Sequence, residues 1–334
     1  MNLQARIQAF TKLGEYLKTD IYQEDEEQLH LAKVLNPWFT KENIEKALGA
    51  WHEQLKVDML TVWLNPYKLQ EVSIPKKVLI IMAGNIPLVG FHDFLSVLIS
   101  GHKVVVKMSS TDNVLVKILI EKLISIAPEF KESINFIDDV KNRNFDGVIA
   151  TGSDNSAQYF EYYFKRAKKI IRKNRRSVAV LDGSESAMEL QGLANDVFAY
   201  FGLGCRNVSK LFLPKGYDLD NLFKAFYSYS DVVNHKKYGN NYDYNKAIFL
   251  IGSNDLIENG FLLMKEDKSL LSPVAMLYYE FYNDMNTVEQ FVEENAEKLQ
   301  CVVSKKDIAF GNTQKPNLWD YADGVDTVDF LREL

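Results

Sequence analysis

The chain has little cysteine: only Cys205 and Cys301 occur among 334 residues. Two are too few for a disulfide framework or a zinc cluster, so any cysteine chemistry must be that of a lone thiol. Histidine is sparse as well, five in all and none at metal-ligand spacing, and no metal is expected. Long apolar runs are missing, and the N-terminus MNLQARIQAFTKLGEYLKTD scatters its charges where an export signal would place an apolar core. The expectation is a cytoplasmic protein without a transmembrane segment. Positive charge is not in excess either: 39 Lys and Arg face 45 Asp and Glu, a net charge of -6, which excludes nucleic acid as an expected partner. With 47% hydrophobic residues, the chain is instead rich enough for one large core or two packed ones.

Residues 1–65 carry apolar positions at helical spacing, Ile7, Phe10, Leu13 and Leu17, then Ile44, Leu48, Trp51, Leu55 and Met59, and read as a helical entry segment. From Val78 the texture alternates. VLIIM reads as a buried strand, Leu88 to Ile99 as a packed helix and VVVK (104–107) as the next strand. A helix over 113–124, a short strand near 135–137 and the strand GVIA (147–150) continue the pattern. This is the α/β alternation of a parallel sheet with crossover helices. After a basic run come the strand SVAVLD (177–182), an amphipathic helix over 187–200 and the strand VSKLFLP, with a seam between two lobes near Asp182. AIFLIG, GFLLM and PVAMLYY read as further strands, and residues 310–334 form an aromatic, acidic tail of unassigned placement.

Five segments carry candidate chemistry. Cys205 lies between an apolar helix and an apolar strand, flanked by Gly202 and Gly204, which permit positive φ and a close approach of a ligand to the backbone. Arg206 and nearby backbone amides would favour its thiolate, the reactive form; the plain alternative is a small apolar filler. Asn85 in AGNIPL follows a strand and precedes a helix. There an amide side chain either faces a substrate carbonyl or caps the helix. Gly152 and Ser153 stand at a helix start suited to phosphate, or form a tight turn with a serine cap. Lys107 closes its strand, where its ammonium either meets ribose hydroxyls or a phosphate or is simply solvated. The basic run 165–176 suits coenzyme phosphates or a solvated helix end and edge strand. His92, His102 and His235 have no partner at diagnostic spacing and are assigned no chemistry.

Taken in order, AGNIPL, ISGHKVVVKMSS, ATGSDNS and FGLGCRN followed by a strand resemble the Asn, Lys, Gly-Ser and Cys motifs of the aldehyde dehydrogenase superfamily. Within it the chain resembles the long-chain acyl-CoA reductases of the LuxC type over roughly residues 70–280. The resemblance implies an aldehyde dehydrogenase-like fold with two α/β lobes and a modified Rossmann-type parallel sheet in the cofactor lobe. It divides the chain into the helical segment 1–65, a nicotinamide cofactor-binding domain 66–181, a catalytic domain 182–309 and the tail 310–334. It makes Cys205 the nucleophile and Asn85, with the Cys205 backbone amide, the oxyanion donor. Lys107, Ser109, Ser110, Gly152 and Ser153 fall to the cofactor, and self-association is expected.

Three departures from the family bear on the expected chemistry, and the first sets its direction. Oxidising members carry a glutamate that activates water against the acyl-enzyme, whereas here no carboxylate occurs between Glu161 and Asp182. Without that base a thiol such as coenzyme A becomes the exchange partner, and the expected reaction is reduction of an acyl-CoA, of the fatty class, to its aldehyde. A ribose-binding glutamate is replaced by Met108, Ser109 and Ser110, which favours NADPH, with NADH as the alternative cofactor. A second family glutamate is missing from Ser269–Val274. The competing expectations are reduction of an acyl phosphate or of an acyl group delivered by a partner protein, and a catalytically degenerate binding or assembly protein.

Overall fold

Five helices open the chain: α1 (Leu3–Lys18), α2 (Ile21–Glu24), α3 (Glu26–Leu35), α4 (Lys41–Gln54) and α5 (Val57–Leu64). Asn2 and Thr40 cap α1 and α4 by accepting from Ala5 N and Asn43 N, which supplies partners for amides that a helix start leaves open. The stripe Ile7, Phe10, Leu13 and Leu17 is buried, as its spacing requires.

The protein, seen here in a computed structural model, is described over residues 1–141 and 143–334. It divides into two compact units, Met1–Asn174 with Asn317–Leu334, and Arg175–Pro316. In the first, β1 (Lys77–Ile81), α6 (Phe91–Ile99), β2 (Lys103–Lys107), α7 (Leu115–Ile126), β3 (Ile134–Phe136), β4 (Gly147–Thr151), α8 (Asp154–Tyr163) and β5 (Lys168–Arg172) follow the entry helices. The strands are all parallel, in the order β3-β2-β1-β4-β5. Strand parity assigns the faces: Val78, Ile80, Val104 and Val106 join the core of α1, α4, α5, α6 and α7, while Leu79, Ile81, Val105 and Val148 join a second core with Phe164. Burial on both sides explains why these strands read as unbroken apolar runs.

The order reverses at β1, since the chain builds outward through β2 and β3 and then returns to β4 on the other side. That makes the carboxyl ends of β1 and β4 a switch point, the place where an open parallel sheet offers a crevice to ligands.

The second unit holds β6 (Arg176–Val180), α9 (Ala187–Phe198), β7 (Val208–Pro214), α10 (Asp220–Phe226), α11 (Lys236–Ile251), β8 (Ile257–Glu258), β9 (Leu263–Glu266), β10 (Met276–Tyr282), α12 (Met285–Glu294) and β11 (Leu299–Val303). Its sheet runs β11-β6-β7-β10-β9-β8 and is parallel except for β8 against β9. Ser186 and Glu189 form a reciprocal capping box that starts α9.

Two placements differ from the sequence expectation. AIFLIG, expected as a strand, is the last turn of α11 and the residue after it. Tyr238, Tyr242 and Asn245 are the buried positions of that helix, spaced at helical intervals, so the helical register set upstream overrides the β-propensity of its end. The boundary between units falls at Asn174/Arg175, ahead of Asp182, because β6 pairs with β7 and β11 of the second sheet.

The C-terminal segment returns to the first unit. Leu318 enters the core of the entry helices, and Tyr321 accepts from Trp63 Nε1 at 2.7 Å. A short helix, Thr327–Arg332, follows. Arg172, at the end of β5, donates to Asp93 on α6 (2.7 Å), to the Ala322 carbonyl (2.6 Å) and to Thr327 Oγ1 (2.9 Å). No described helix is long and apolar enough to cross a membrane.

Candidate active site

The loop that carries Cys205 joins α9 to β7 and begins under strain. Tyr200 (φ 50°), Phe201 (φ 59°) and Gly202 (φ 74°) are three successive left-handed residues, a conformation that non-glycine residues enter singly and at a cost of about 1–2 kcal/mol each. Surrounding contacts hold it: Leu203 N donates to Tyr200 O at 3.2 Å, and the Phe201 ring lies 4.3 Å from that of His235. The turn then closes with Asn207 N donating to Gly204 O at 3.1 Å.

Asn207 is buried and fixes this turn from within. Its Nδ2 donates to the carbonyls of Asp196 (3.0 Å), Val197 (3.4 Å) and Ala199 (2.8 Å) at the end of α9. Its Oδ1 accepts from Gly204 N at 2.8 Å. On the other side, Ser177 Oγ of β6 donates to the Cys205 carbonyl at 2.9 Å. Cys205 is half-buried while Cys301 is buried. Arg206, expected beside the nucleophile as a thiolate-favouring charge, donates from Nη1 to Cys301 Sγ at 3.3 Å and to Thr313 O at 3.4 Å.

A cavity of about 240 Å³ borders the same turn. Gly202, Leu203 and Gly204 line one side, and Leu271, Ser272 and Val274 line another. The stretch without the family's second glutamate therefore faces the cysteine turn. It is tied to β7 from below: Ser209 Oγ donates to Leu270 O at 2.7 Å, and the buried Lys210 donates to Asp267 O at 2.8 Å and pairs with Glu280.

In the first unit the remaining candidates gather at the carboxyl edge of the parallel sheet. Asn85 follows β1, Lys107 ends β2, Ser109 and Ser110 follow it, and Gly152 with Ser153 follow β4. Asn85 is exposed and is not a cap, because Gly90 holds the position before α6. Lys107 Nζ makes no hydrogen bond or ion pair with the described residues, which leaves its charge available to a ligand. Ser109 is spent locally, sharing a 2.8 Å hydrogen bond with Thr111, while Ser110 is exposed. At Gly84 an added Cβ would sit 2.5 Å from both Ser109 Oγ and Thr111 Oγ1, so only glycine lets the two loops touch.

Ser153 is a helix cap, its Oγ accepting from Ser156 N at 3.3 Å. The Gly152 amide donates to Arg172 O at 3.2 Å and so continues the ladder between β4 and β5. A phosphate here would meet the amides of Asp154 and Asn155 at the start of α8, with Gly152 providing clearance. The basic run is largely engaged inside the protein: Lys169 pairs with Glu161, Lys168 with the Glu333 carbonyl, and Arg172 is buried. That is the edge-strand alternative, since β5 ends the sheet. The histidines pack or cap, with His92 on Leu318 O, His102 on Leu331 O and His235 capping α11. No group of metal-ligating residues occurs among the described residues.

Sequence reasoning missed Asn207, Asp196 and Asp112. Asp196 is fully buried, and its carboxylate collects Gly311 N, Thr313 N and Thr313 Oγ1 at 2.6–3.1 Å. Asp112 is buried beneath the loop of Asn85 and accepts from Leu88 N at 2.7 Å. An Asn two residues past the cysteine was visible, but nothing in its spacing marks it as a clamp.

Solved aldehyde dehydrogenases share this fold. The Bacillus cereus enzyme in its NAD+ complex aligns with 91% of this chain and 72% of its own, at 13% identity and a TM-score of 0.64. Aldehyde dehydrogenase 21 of Physcomitrella patens, in complex with the product succinate, aligns with 98% and 79%, at 14% identity and 0.65. Aldehyde dehydrogenase C of Pseudomonas syringae, with NAD+ and octanal, aligns with 86% and 69%, at 12% identity and 0.63. No curated protein matches by sequence. The sequence profile of the acyl-CoA reductase (LuxC) family matches residues 9–223, more than half of the chain. The protein therefore has the aldehyde dehydrogenase fold and belongs to the LuxC acyl-CoA reductase family, a family of aldehyde-related oxidoreductases.

Proposed function

We propose that the chain reduces an acyl-CoA, of the fatty class, to its aldehyde through a thioester on Cys205. The thiolate attacks the acyl carbonyl, and the developing oxyanion is assigned to Asn85 and the Cys205 amide. Collapse then expels the coenzyme A thiol and leaves the acyl group on sulfur. NADPH, when bound, supplies the hydride that takes the thioester to aldehyde and returns the cysteine. Lys107, Ser110 and the start of α8 are assigned to its ribose and phosphates, in a cofactor-binding role for the first unit and a catalytic role for the second.

One observation carries this reading. The stretch in which hydrolytic relatives need a water-activating carboxylate is β5, Lys173, Asn174, Arg175 and β6, without an acid from residue 162 to 181. An acyl-enzyme beside no general base persists long enough to be reduced or passed to a thiol. The NADPH preference rests on Lys107 and on the serine pair that removes a negative charge from its side.

NADPH consumption against CoA thioesters of several lengths, with NADH in parallel, tests donor and cofactor together. Cys205→Ala is expected to abolish both turnover and the acyl mass shift; full turnover in that variant would remove the assignment. Acyl phosphate and acyl-carrier donors in the same mass experiment separate the related reductases. The acid-free stretch Ser269–Val274 favours the degenerate reading, and failure of calorimetry to detect either nicotinamide cofactor would favour it further.

A further inference from the structure

Asn85 stands between two anchors that come from a single loop. One residue before it, the Gly84 carbonyl accepts from Thr111 Oγ1 at 2.8 Å; three residues after it, the Leu88 amide donates to Asp112 Oδ2 at 2.7 Å. Pro87 fixes φ just ahead of Leu88, and Leu88 itself is left-handed (φ 60°), a backbone that leucine holds only when its surroundings compel it. Asn36 supports the anchoring loop by donating to Thr111 O at 3.1 Å.

Asp112 is the unusual member. It is 3% exposed, and its second oxygen, Oδ1, is buried without a hydrogen-bond partner. The elements around it carry little charge: residues 82–90 and 35–40 have no titratable side chain, and its own loop has only Lys107. On α6, Asp93 is paired with Arg172 and His92 with Leu318 O, and the first turn of α7 offers only Lys117. An ionised carboxylate there would lack compensation for its lost water, and burial accordingly pushes its pKa up to about 7.

We propose that Asp112 is the positioning residue for Asn85, holding the Asn85 loop through the Leu88 amide in its neutral, protonated form. A neutral carboxyl still accepts that amide hydrogen bond while avoiding an unpaired buried charge. Ionisation loosens the loop and moves the carboxamide off the position an oxyanion needs. The inference rests on the reading of Asn85 as oxyanion donor, and its test separates the two.

The experiment uses the full chain with Asp112→Asn, which keeps an acceptor and is always neutral, and Asp112→Ala, which is neutral too but keeps no acceptor. Hydrogen exchange of the Leu88 amide reports the anchor directly. Protection is expected in the wild type near pH 6, to fall above pH 7, to be lost in the alanine variant and to persist at all pH values in the asparagine variant. Unchanged protection in the alanine variant would overturn the proposal. Single-turnover acylation of Cys205 by an acyl-CoA reports the consequence: roughly 10²-fold slower in the alanine variant, the scale of a lost oxyanion donor, and restored in the asparagine variant. Iodoacetamide alkylation of Cys205 is expected to be equal in all three, because the thiol is untouched. An asparagine variant as slow as alanine would show that the neutral acceptor is not the device. If Asn85→Ala acylates at the wild-type rate, the reading of Asn85 fails, while the exchange data still decide the anchor.

Discussion

Asn207 Oδ1 accepts the Gly204 amide at 2.8 Å across the turn that carries Cys205. Because the same side chain donates to three carbonyls at the end of α9, the Cys205 loop is locked to a helix terminus rather than to another loop. Asn207→Ala removes these hydrogen bonds from three carbonyls and one amide, and unfolding in urea is expected to show a loss of about 2–4 kcal/mol. Asn207→Asp should be no better, since a carboxylate would face three carbonyl oxygens. Among folded molecules, acylation of Cys205 should slow in both variants; acylation at the wild-type rate would show that the clamp does not position the thiol.

The proposed preference for NADPH rests on charge beside Lys107. Ser110→Glu places a carboxylate three residues past Lys107, so it is expected to weaken NADPH use by about tenfold or more and to spare NADH. KM values for the two cofactors measured side by side decide it, and an unchanged ratio would detach Ser110 from the 2′ position.

How much of this was legible depends on where the information lies. The strands Val78–Ile81 and Val104–Val106 were readable because burial on both faces leaves an unbroken apolar run. The tail was not: Tyr321 and Thr327 are fixed by Trp63 and Arg172, more than a hundred residues away, and such pairings leave no local period. Ala247–Gly252 misled because its residues favour a strand while the helix they end is held by Tyr238 and Tyr242. At the site, glycines and motif residues announced the turns, whereas Asn207 and Asp112 act by filling buried hydrogen-bond positions that only the folded chain creates.

The tail's attachment is itself testable. Arg172 and Asp93 are both buried, and removing one partner leaves the other charge uncompensated. Arg172→Met is expected to destabilise the protein by about 3–5 kcal/mol and to release residues 317–334 to protease first. Replacing both, as Arg172→Met with Asp93→Leu, should recover part of the loss; equal instability in the double variant would assign the effect to the Ala322 and Thr327 contacts instead.

Stability should carry the signature of Asp112 as well. Its carboxyl stands at about 7 in the folded chain against an ordinary 3.8, because burial penalises the charge. Between those values the folded chain holds a proton that the unfolded chain has released, so stability falls as pH rises across that window and levels off above it. Below the ordinary value both states are protonated and the group has no effect. A raised carboxyl thus makes the protein weaker in neutral and alkaline solution, opposite in sign to a salt-bridged aspartate. With one unit worth about 1.4 kcal/mol, the shift amounts to about 4 kcal/mol at most. Asp112→Asn cannot ionise, so wild type minus variant isolates this group from all others. Urea midpoints at pH 4, 6 and 8.5 are expected to agree most nearly at the lowest pH and to diverge in the variant's favour as pH rises. A difference that stays constant with pH would mean that Asp112 is ionised throughout, and that the loop of Asn85 is held by a charge.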